Sequence, residues 1–303
     1  MINLRAAAID IGTNSCRLLI GERKSENNFD VLTRKLEITR LGEGVDQNKR
    51  LKEAAVERVF KALKKYRAII DDYQVEITRV IGTSALRDVD NSELLGDRVS
   101  ELGFKLEIIS GKKEAELNYL GAASNLDDNF LLIDIGGGST EFIWPEAEEI
   151  KFESLNLGCV RMTEKFICKP EQKTNAAEIN EIHNYVEALL RSKLNFDKGF
   201  QLKGVGGTIT TLAAVKLGME DYDSSRVENL KISLSELNQI IDKLSSLTLK
   251  KRKEIKGLQP KRADIIISGL IILKDILEYI NSSELYVSDQ DLLYGLLKAE
   301  LLK

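Results

Sequence analysis

The chain has 303 residues, enough for two domains of ordinary size. Apolar residues make up 43% of it and charged residues 30%, which predicts a soluble globular protein with a large core and excludes disordered, collagen-like and fibrous classes. Lys and Arg number 44 and Asp and Glu 48, so the net charge is -4. Nucleic acid and membrane are therefore not expected as partners, and any site for a polyanion must be local.

The first half of the chain alternates strands and helices after an opening β-hairpin. Short apolar runs at 6–11 and 16–21 flank a Gly-Thr-Asn-Ser turn, which is typical of two antiparallel strands. A third strand is predicted at 29–39, and apolar residues at the spacing of one helix face predict a helix over 51–70. The remaining predicted elements are a strand at 75–81, a helix at 91–102, a strand at 106–109 and a helix at 112–123.

The opening pattern returns in the second half. A strand at 130–135, a turn of three glycines and a strand at 139–144 repeat the hairpin, and residues 10–17 align with 134–141 with Asp, Ile, Gly and Ser in the same places. This repeat predicts a duplicated domain, divided near Asn125 into 1–125 and 126–303. Later elements are predicted as helices near 174–194, 207–217, 233–246 and 262–280, a strand near 201–206, and a last helix from Asp291 with room to pack back on the first domain.

The cysteines and the single histidine do not indicate disulfide, zinc or histidine-based chemistry. Cys16, Cys159 and Cys168 are odd in number and far apart, so we expect them to be small buried residues of a reducing cytoplasm. His183 lies beside an apolar helical stripe and is expected to have a structural role. The most apolar later stretch, 265–273, is too short to span a bilayer.

Two aspartate-glycine turns carry the clearest chemical signal. Asp10 and Asp134 each end an apolar strand just before a glycine turn, where backbone amides can converge on a phosphate oxygen. A carboxylate at this position suits Mg²⁺, which prefers oxygen ligands beside phosphates. One such turn could be an ordinary hairpin, but two matched copies favour a phosphate clamp. A third glycine turn at 204–208 is a weaker candidate, because a tight strand-to-helix connection explains it equally well.

Four sequence segments, in order, carry a family resemblance. They are Ala-Ile-Asp-Ile-Gly-Thr-Asn-Ser-Cys-Arg at 8–17, Gly-Thr-Ser-Ala-Leu-Arg at 82–87, Ser-Gly-Lys-Lys-Glu-Ala-Glu-Leu at 110–117 and the second hairpin at 134–141. Together they resemble the exopolyphosphatase and guanosine pentaphosphate phosphohydrolase (Ppx/GppA) family in its short two-domain form, and similarity continues at 157–164, 206–208 and 262–266. The resemblance implies an α/β fold of duplicated actin-like (ribonuclease H-like) domains with a cleft between them, within the superfamily of actin, chaperone ATPases and sugar kinases.

The resemblance also implies roles for individual residues. Glu114 takes the place of the carboxylate that activates the attacking water, although a carboxylate at a helix start also stabilises the helix without any catalytic role. Glu141 would act beside it, by holding the metal or positioning the water. The implied phosphate-binding residues are Gly12, Thr13, Asn14, Ser15, Arg17, Arg87, Gly136, Gly137, Gly138, Ser139 and Thr140. Weaker substrate contacts are implied for Gly207, Thr208 and Arg262, and the implied metal ligands are Asp10, Asp134 and Glu141.

The implied activity is release of terminal phosphate from inorganic polyphosphate, with Mg²⁺ or Mn²⁺ as cofactor and a homodimer as a family-level expectation. Guanosine pentaphosphate ends in the same group, so 5'-phosphohydrolase activity on it, or regulatory binding of guanosine penta- or tetraphosphate, stays open. A kinase acting on an acetate-like or sugar acceptor is a third hypothesis. The family usually carries glycine and, two residues on, arginine where this chain has Asp291 and Leu293, so one substrate contact is expected to be absent.

A second basic feature lies later in the chain. It comprises Lys250, Lys251, Arg252, Lys253, Lys256, Lys261 and Arg262, interrupted by one acidic residue. Such a cluster could guide a long polyanion toward the site, and a solvated helix face is the alternative interpretation.

Overall fold

The computed structural model describes residues 4–123, 130–146, 149–195 and 200–302. The chain divides into two compact units, one of Met1–Ala123 with Gln290–Lys303 and the other of Ser124–Asp289. The predicted boundary near Asn125 lies outside the described residues. The last helix belongs to the first unit. Over the described part of the chain, no helix has both the length and the apolar composition needed to cross a bilayer.

The first unit is built on a five-stranded sheet in the order β3-β2-β1-β4-β5. Its strands are β1 (Arg5–Ile11), β2 (Ser15–Ser25), β3 (Asn28–Ile38), β4 (Ile77–Gly82) and β5 (Leu106–Ile108). Its helices are α1 (Val45–Asn48), α2 (Glu53–Asp72), α3 (Ser84–Arg87), α4 (Glu93–Glu101), α5 (Gly111–Ala122) and, from the chain end, α13 (Leu292–Leu301). The first three strands are antiparallel, whereas β4 runs parallel to β1 and β5 parallel to β4. The carboxyl ends of β1, β4 and β5 therefore lie at the same end of the sheet.

The second unit repeats this plan in a six-stranded sheet, in the order β10-β11-β9-β6-β7-β8. Its strands are β6 (Phe130–Ile135), β7 (Thr140–Glu146), β8 (Glu149–Leu155), β9 (Gln201–Val205), β10 (Lys231–Ser233) and β11 (Glu284–Val287). Its helices are α6 (Cys159–Phe166), α7 (Ala176–Lys193), α8 (Gly206–Leu217), α9 (Ser224–Val227), α10 (Leu234–Ser245), α11 (Leu249–Arg252) and α12 (Ile266–Tyr279). Three antiparallel strands are again followed by two parallel ones, and β10 is an additional edge strand. The predicted α/β fold of duplicated actin-like domains is confirmed.

Burial explains why the central strands could be predicted from the sequence. Every residue of β6 is buried, as are six of the seven residues of β1. Strands covered on both faces appear as continuous apolar runs, which is the pattern at 6–11 and 130–135. By contrast, the edge strand β3 has no fully buried residue. The all-round apolar helix α12 lies in the core of the second unit.

Several of the elements that the sequence analysis missed are short. Strands β10 and β11 have three and four residues, too few to show a clear period of two. The helix predicted over 262–280 begins later, as α12, because a 3-10 turn at Pro260–Arg262 precedes it. Cys168 is exposed, which corrects the expectation that all three cysteines are buried; Cys16 and Cys159 are buried as predicted.

Helices α5 and α13 touch through two glycines. A Cβ at Gly121 would overlap the carbonyl oxygen of Asp291, and a Cβ at Gly295 would overlap the carbonyl oxygen of Leu117. The two backbones thus approach each other more closely than any residue with a side chain allows. This contact fixes α5, whose first turn carries Glu114, against the start of α13.

Replacing Gly295 by alanine is expected to destabilise the protein. The added methyl must push α13 away from α5, and overpacking of this kind typically costs about 1–3 kcal/mol. The matched control is Gly96→Ala in α4, where a Cβ would meet nothing within 4 Å and alanine is favoured by roughly 0.5–1 kcal/mol. Urea unfolding should give a lower midpoint for Gly295→Ala and a higher one for Gly96→Ala. Equal midpoints would show that the two helices can move apart without lowering the free energy of unfolding.

Candidate active site

The first aspartate-glycine hairpin joins β1 to β2. Its pairing register places Asp10 directly opposite Arg17. Directly paired residues of antiparallel strands project from the same face, and Arg17 donates from Nε and Nη2 to Asp10 Oδ2 at 3.0 and 2.7 Å. The Nη1 group of Arg17 donates to the Asp291 carboxylate. Arg17 was predicted to bind phosphate, and the structure places it between two carboxylates.

Asp10 is the most unusual carboxylate of this group. It is 4% exposed, and Oδ1 is buried without a hydrogen-bond partner among the described residues. Burial raises its pKa, Arg17 opposes this shift, and the negative charge of Asp291 adds to it. A buried carboxylate oxygen without a donor is energetically unfavourable, so it indicates a position where a positive ligand would stabilise the site.

The backbone of the first turn is arranged for an anion. The carbonyl of Thr13 accepts from the amide of Gly42, and the carbonyl of Asn14 accepts from the amides of Thr39 and Arg40. Within the described residues, the amides of Thr13 and Asn14 donate to no hydrogen bond. The carbonyls of the turn are thus hydrogen-bonded within the protein, whereas its two central amides remain able to donate. A phosphate requires donors of this kind. Gly12 and Ser15 close the turn through a 2.9 Å bond from the Gly12 amide to the Ser15 carbonyl.

Glu114 and Arg87 both lie beyond the carboxyl ends of strands of the first sheet, on the same side as the first hairpin turn. Arg87 ends α3, which follows β4, and Glu114 lies in the first turn of α5, which follows β5. Arg87 Nη1 donates to Glu114 Oε2 at 2.6 Å and to the Ile109 carbonyl at 3.1 Å. Glu114 is 7% exposed. The structure therefore brings together the hairpin, Arg87 and Glu114, which are scattered over a hundred residues of sequence.

The helix-cap interpretation of Glu114 is only partly correct. Ser110 is the N-cap of α5, and its hydroxyl accepts from the Lys113 amide. Glu114 consequently lies one position beyond N3, the position that a capping box uses. Its carboxylate pairs with Arg87, so the first turn of the helix does not by itself account for a buried acid there.

The second hairpin matches the first in backbone but differs in charge. Asp134 lies directly opposite Glu141 in the register of β6 and β7, where the first hairpin has Asp10 opposite Arg17. Asp134 is 9% exposed and Glu141 only 1%. The hydroxyl of Ser154 donates to Glu141 Oε1 at 2.8 Å. Like charges directly opposite each other destabilise a sheet, so this pair also favours a bound cation.

The glycine turn of the second hairpin has the same backbone polarity. Helix α6 begins against it: the amide of Cys159 donates to the Gly136 carbonyl, and the amide of Val160 donates to the Gly137 carbonyl. Across the described chain, no acceptor is found for the amides of Gly137 and Gly138. Ser139 is 4% exposed, and its carbonyl accepts from the Gly136 amide at 3.0 Å.

Thr140 has a different role from the predicted one. It is fully buried, and its hydroxyl donates to the carbonyl of Leu157. This bond holds the segment before α6 against β7. The role of Thr140 in binding phosphate stays a prediction.

The third glycine turn is held by an arginine. Arg262 is 8% exposed and donates from Nη1 to the Gly207 carbonyl at 2.8 Å and to the Thr211 hydroxyl at 2.9 Å. The Thr208 hydroxyl donates to the Ile135 carbonyl at 3.1 Å. These bonds stabilise the turn and tie it to the end of β6. Direct substrate contacts by Gly207, Thr208 and Arg262 stay a prediction, and in the structure Thr208 and Arg262 hold the turn in place.

The basic cluster at 250–262 contains both buried arginines and exposed lysines. Arg252 is 1% exposed and donates to the carbonyls of Ala263, Gln172 and Leu247. Lys256 pairs with Glu220 on the surface. The two arginines of the cluster are buried and donate to backbone carbonyls, and its exposed basic residues are all lysines.

Three residues beside the two hairpins were not predicted from the sequence. Ser154, the partner of Glu141, has no signal in the sequence. Arg161 donates from Nε to the Gly138 carbonyl at 2.9 Å, and burial lowers its pKa; it was noticed only as part of a similar segment. Asp291 was noticed as a departure from the family, and in the structure it caps α13 while pairing with Arg17. Leu293 is buried in the apolar cluster beneath α13.

Comparison with known proteins shows the family to which the chain belongs. The model of the Ppx/GppA phosphatase family matches residues 19–303. The chain is 44% identical over 310 residues to a protein of Fusobacterium nucleatum named bifunctional 3-dehydroquinate synthase/phosphatase, covering 97% of this chain and 46% of that protein. It is 32% identical over 311 residues to exopolyphosphatase 2 of Mycobacterium tuberculosis, covering 96% of this chain and 97% of that protein.

A solved structure supports the same relationship. The crystal structure of an exopolyphosphatase from Cytophaga hutchinsonii matches with a TM-score of 0.88 and 29% identity, covering 98% of this chain and 97% of that chain. The chain spans less than half of the Fusobacterium protein and nearly all of the other two relatives. The family match covers more than half of the chain and includes the second hairpin, whereas the turn of the first hairpin lies before residue 19. The chain belongs to the Ppx/GppA phosphatase family.

Proposed function

We propose that this protein hydrolyses the terminal phosphoanhydride of inorganic polyphosphate. The observation that carries the proposal is the repeated turn: in each unit, a buried aspartate precedes a loop whose carbonyls are bonded inward and whose central amides have no acceptor among the described residues. Each loop is suited to phosphate oxygens. The names of the relatives support polyphosphate as the substrate class, since two of them are exopolyphosphatases that the chain matches over nearly their full length.

Glu114 acts as the general base in this proposal. It takes a proton from water, the water oxygen forms a bond to the terminal phosphorus, and the bond to the bridging oxygen breaks so that the shortened chain leaves. Phosphoryl transfer depends mainly on positioning and on stabilising charge. Arg87, which contacts Glu114 at 2.6 Å, orients the carboxylate and adds a planar donor beside the reacting phosphate.

Each unit has carboxylates at a strand end that suit a divalent cation, Mg²⁺ or Mn²⁺. In the first unit Asp10 has a buried oxygen without a donor, and in the second unit Asp134 lies opposite Glu141; carboxylate oxygens are the hard donors that these ions prefer. When bound, the ion would neutralise charge on the phosphate oxygens. The residues of the chain supply the rest: each loop offers amides to phosphate oxygens, and Glu114 holds and moves the water proton.

The decisive experiment is an assay of inorganic phosphate release. Defined short and long polyphosphates and guanosine pentaphosphate are compared, each with Mg²⁺ and with chelator. We expect metal-dependent release that is fastest from polyphosphate. Faster release from guanosine pentaphosphate would replace the proposed substrate with the alarmone, and tight binding without release would make the protein an alarmone-binding regulator. Transfer that depends on an added acetate-like or sugar acceptor would instead indicate a kinase.

A further inference from the structure

A second group of metal-binding side chains lies in the second unit, away from the hairpins in sequence. His183 on α7 faces Asp275 and Glu278 on α12, and one donor atom from each of the three lies within 4.8 Å of the others. Asp275 and Glu278 are three residues apart and therefore share a face of α12. This is the one such group found among the residues that the structure describes.

Asp275 is aimed into this group and is poorly satisfied. It is 3% exposed, and Oδ1 lies 2.7 Å from His183 Nδ1. Its other oxygen, Oδ2, is buried and has no hydrogen-bond partner among the described residues. Burial raises its pKa to about 7. A buried carboxylate normally has donors for both oxygens, so the pairing with His183 leaves half of this group unexplained.

We propose that His183, Asp275 and Glu278 bind a divalent transition-metal ion of the zinc type, which links α7 to α12. One imidazole nitrogen and two carboxylate oxygens form the mixed donor set that Zn²⁺ accepts, with water completing four-coordination. Mg²⁺ takes oxygen ligands almost exclusively. The proposed site is therefore distinct in chemistry from the all-carboxylate positions of the hairpins.

The surroundings allow the three donors to converge. Two zinc-ligand bonds of about 2.1 Å at a tetrahedral angle separate the donor atoms by roughly 3.4 Å. The distance between His183 Nδ1 and Asp275 Oδ1, which is 2.7 Å, must therefore lengthen slightly when the ion binds. Because the His183 side chain is 37% exposed, it has room to move. Glu278 is exposed and pairs with Lys274 only at 3.7 Å, so its carboxylate can turn toward the ion.

An ordinary ion pair between two helices is the competing explanation. It accounts for the contact of His183 with Asp275 Oδ1, but it accounts neither for the buried Oδ2 nor for the third donor at the same place. The neighbouring charged side chains form ion pairs of their own and do not take the place of a cation beside Asp275. Lys274 pairs with Glu278, and Glu187 on α7 pairs with Arg191.

The test is calorimetric titration of the chelator-stripped full chain with Zn²⁺, without substrate. Three variants are compared: Glu278→Gln and His183→Gln, which each remove one ligand, and the control Glu181→Gln, which removes an exposed acid of α7 outside the group. We expect each ligand variant to weaken one zinc site by at least about 10- to 100-fold, as even outer-shell changes commonly do. The control should bind like the native protein. Because Glu278 is exposed, its variant tests the site even if His183→Gln folds poorly.

A second measurement separates coordination from a structural effect. Co²⁺ bound by the native protein should give visible absorption with nitrogen and oxygen ligation, lost in Glu278→Gln, and Zn²⁺ should raise the thermal midpoint of the native protein more than that of the variant. Zinc binding that is unchanged by both ligand substitutions, or no zinc site in the native protein, would overturn the proposal. Neither result would bear on phosphate release, which is assayed separately with Mg²⁺.

Discussion

Glu114→Gln is expected to lower the rate of phosphate release by about 10²- to 10⁴-fold, the usual contribution of a general base. Glutamine keeps the size of the side chain and can still accept from Arg87, whose Nη1 lies 2.6 Å from Glu114 Oε2, but it cannot take a proton from water. Initial rates at saturating polyphosphate should fall, while the KM changes little, because the substitution removes an interaction made in the transition state.

The control for this prediction lies two residues further along the same helix. Glu116 is exposed and pairs with Lys113 on the surface, so Glu116→Gln should keep native activity and stability. Circular dichroism and thermal unfolding establish that Glu114→Gln is folded. A folded Glu114→Gln protein with native turnover would remove Glu114 from the mechanism.

Asp10→Asn is expected to lower metal-dependent phosphate release by at least about 100-fold, because charge stabilisation by a metal contributes several kcal/mol to phosphoryl transfer. The substitution removes the charge from a carboxylate whose Oδ1 is buried without a partner. Burial raises the pKa of Asp10, so its charge is less favourable in the folded protein than in the unfolded chain. The variant should therefore lose activity without losing stability.

A Mg²⁺ titration of the rate provides the measurement. Asp10→Asn should require more Mg²⁺ for half-maximal activity and reach a lower maximum. Asp30→Asn is the matched control, since Asp30 is an exposed aspartate of the same sheet that pairs with Lys24. An unchanged Mg²⁺ dependence in Asp10→Asn would exclude Asp10 from any metal site, and a large fall in the thermal midpoint would show that its role is structural.

The hairpins could be predicted because their signal is local. Asp10 and Gly12 lie within a few residues of each other, the strands on either side are buried and apolar, and the copy at Asp134 repeats the same order. The register that opposes Asp10 to Arg17 follows from the length of the turn. The prediction that Arg17 binds phosphate was less secure, because nothing near position 17 reveals that Asp291 pairs with it across 274 residues of chain.

Thr140, Thr208 and Arg262 show the opposite case. Their residue types suit phosphate, and the similar segments include them, so the sequence favoured direct contacts. In the structure they donate to the carbonyls of Leu157, Ile135 and Gly207. A hydroxyl or guanidinium beside a glycine turn is equally able to bind a ligand or to satisfy the turn's own carbonyls, and only the positions of those carbonyls decide between the two.

The duplicated α/β plan and both aspartate-glycine turns could be predicted from the sequence alone, because apolar periodicity and turn chemistry act over short stretches of chain. Glu114 was identified as the candidate base only through the family resemblance. Tertiary structure decided which polar and charged groups meet: Arg87 with Glu114, Arg17 with Asp291, Glu141 with Ser154 and His183 with Asp275. The partners in these pairs come from separate elements, so their contact depends on strand order and helix packing, which no local pattern encodes.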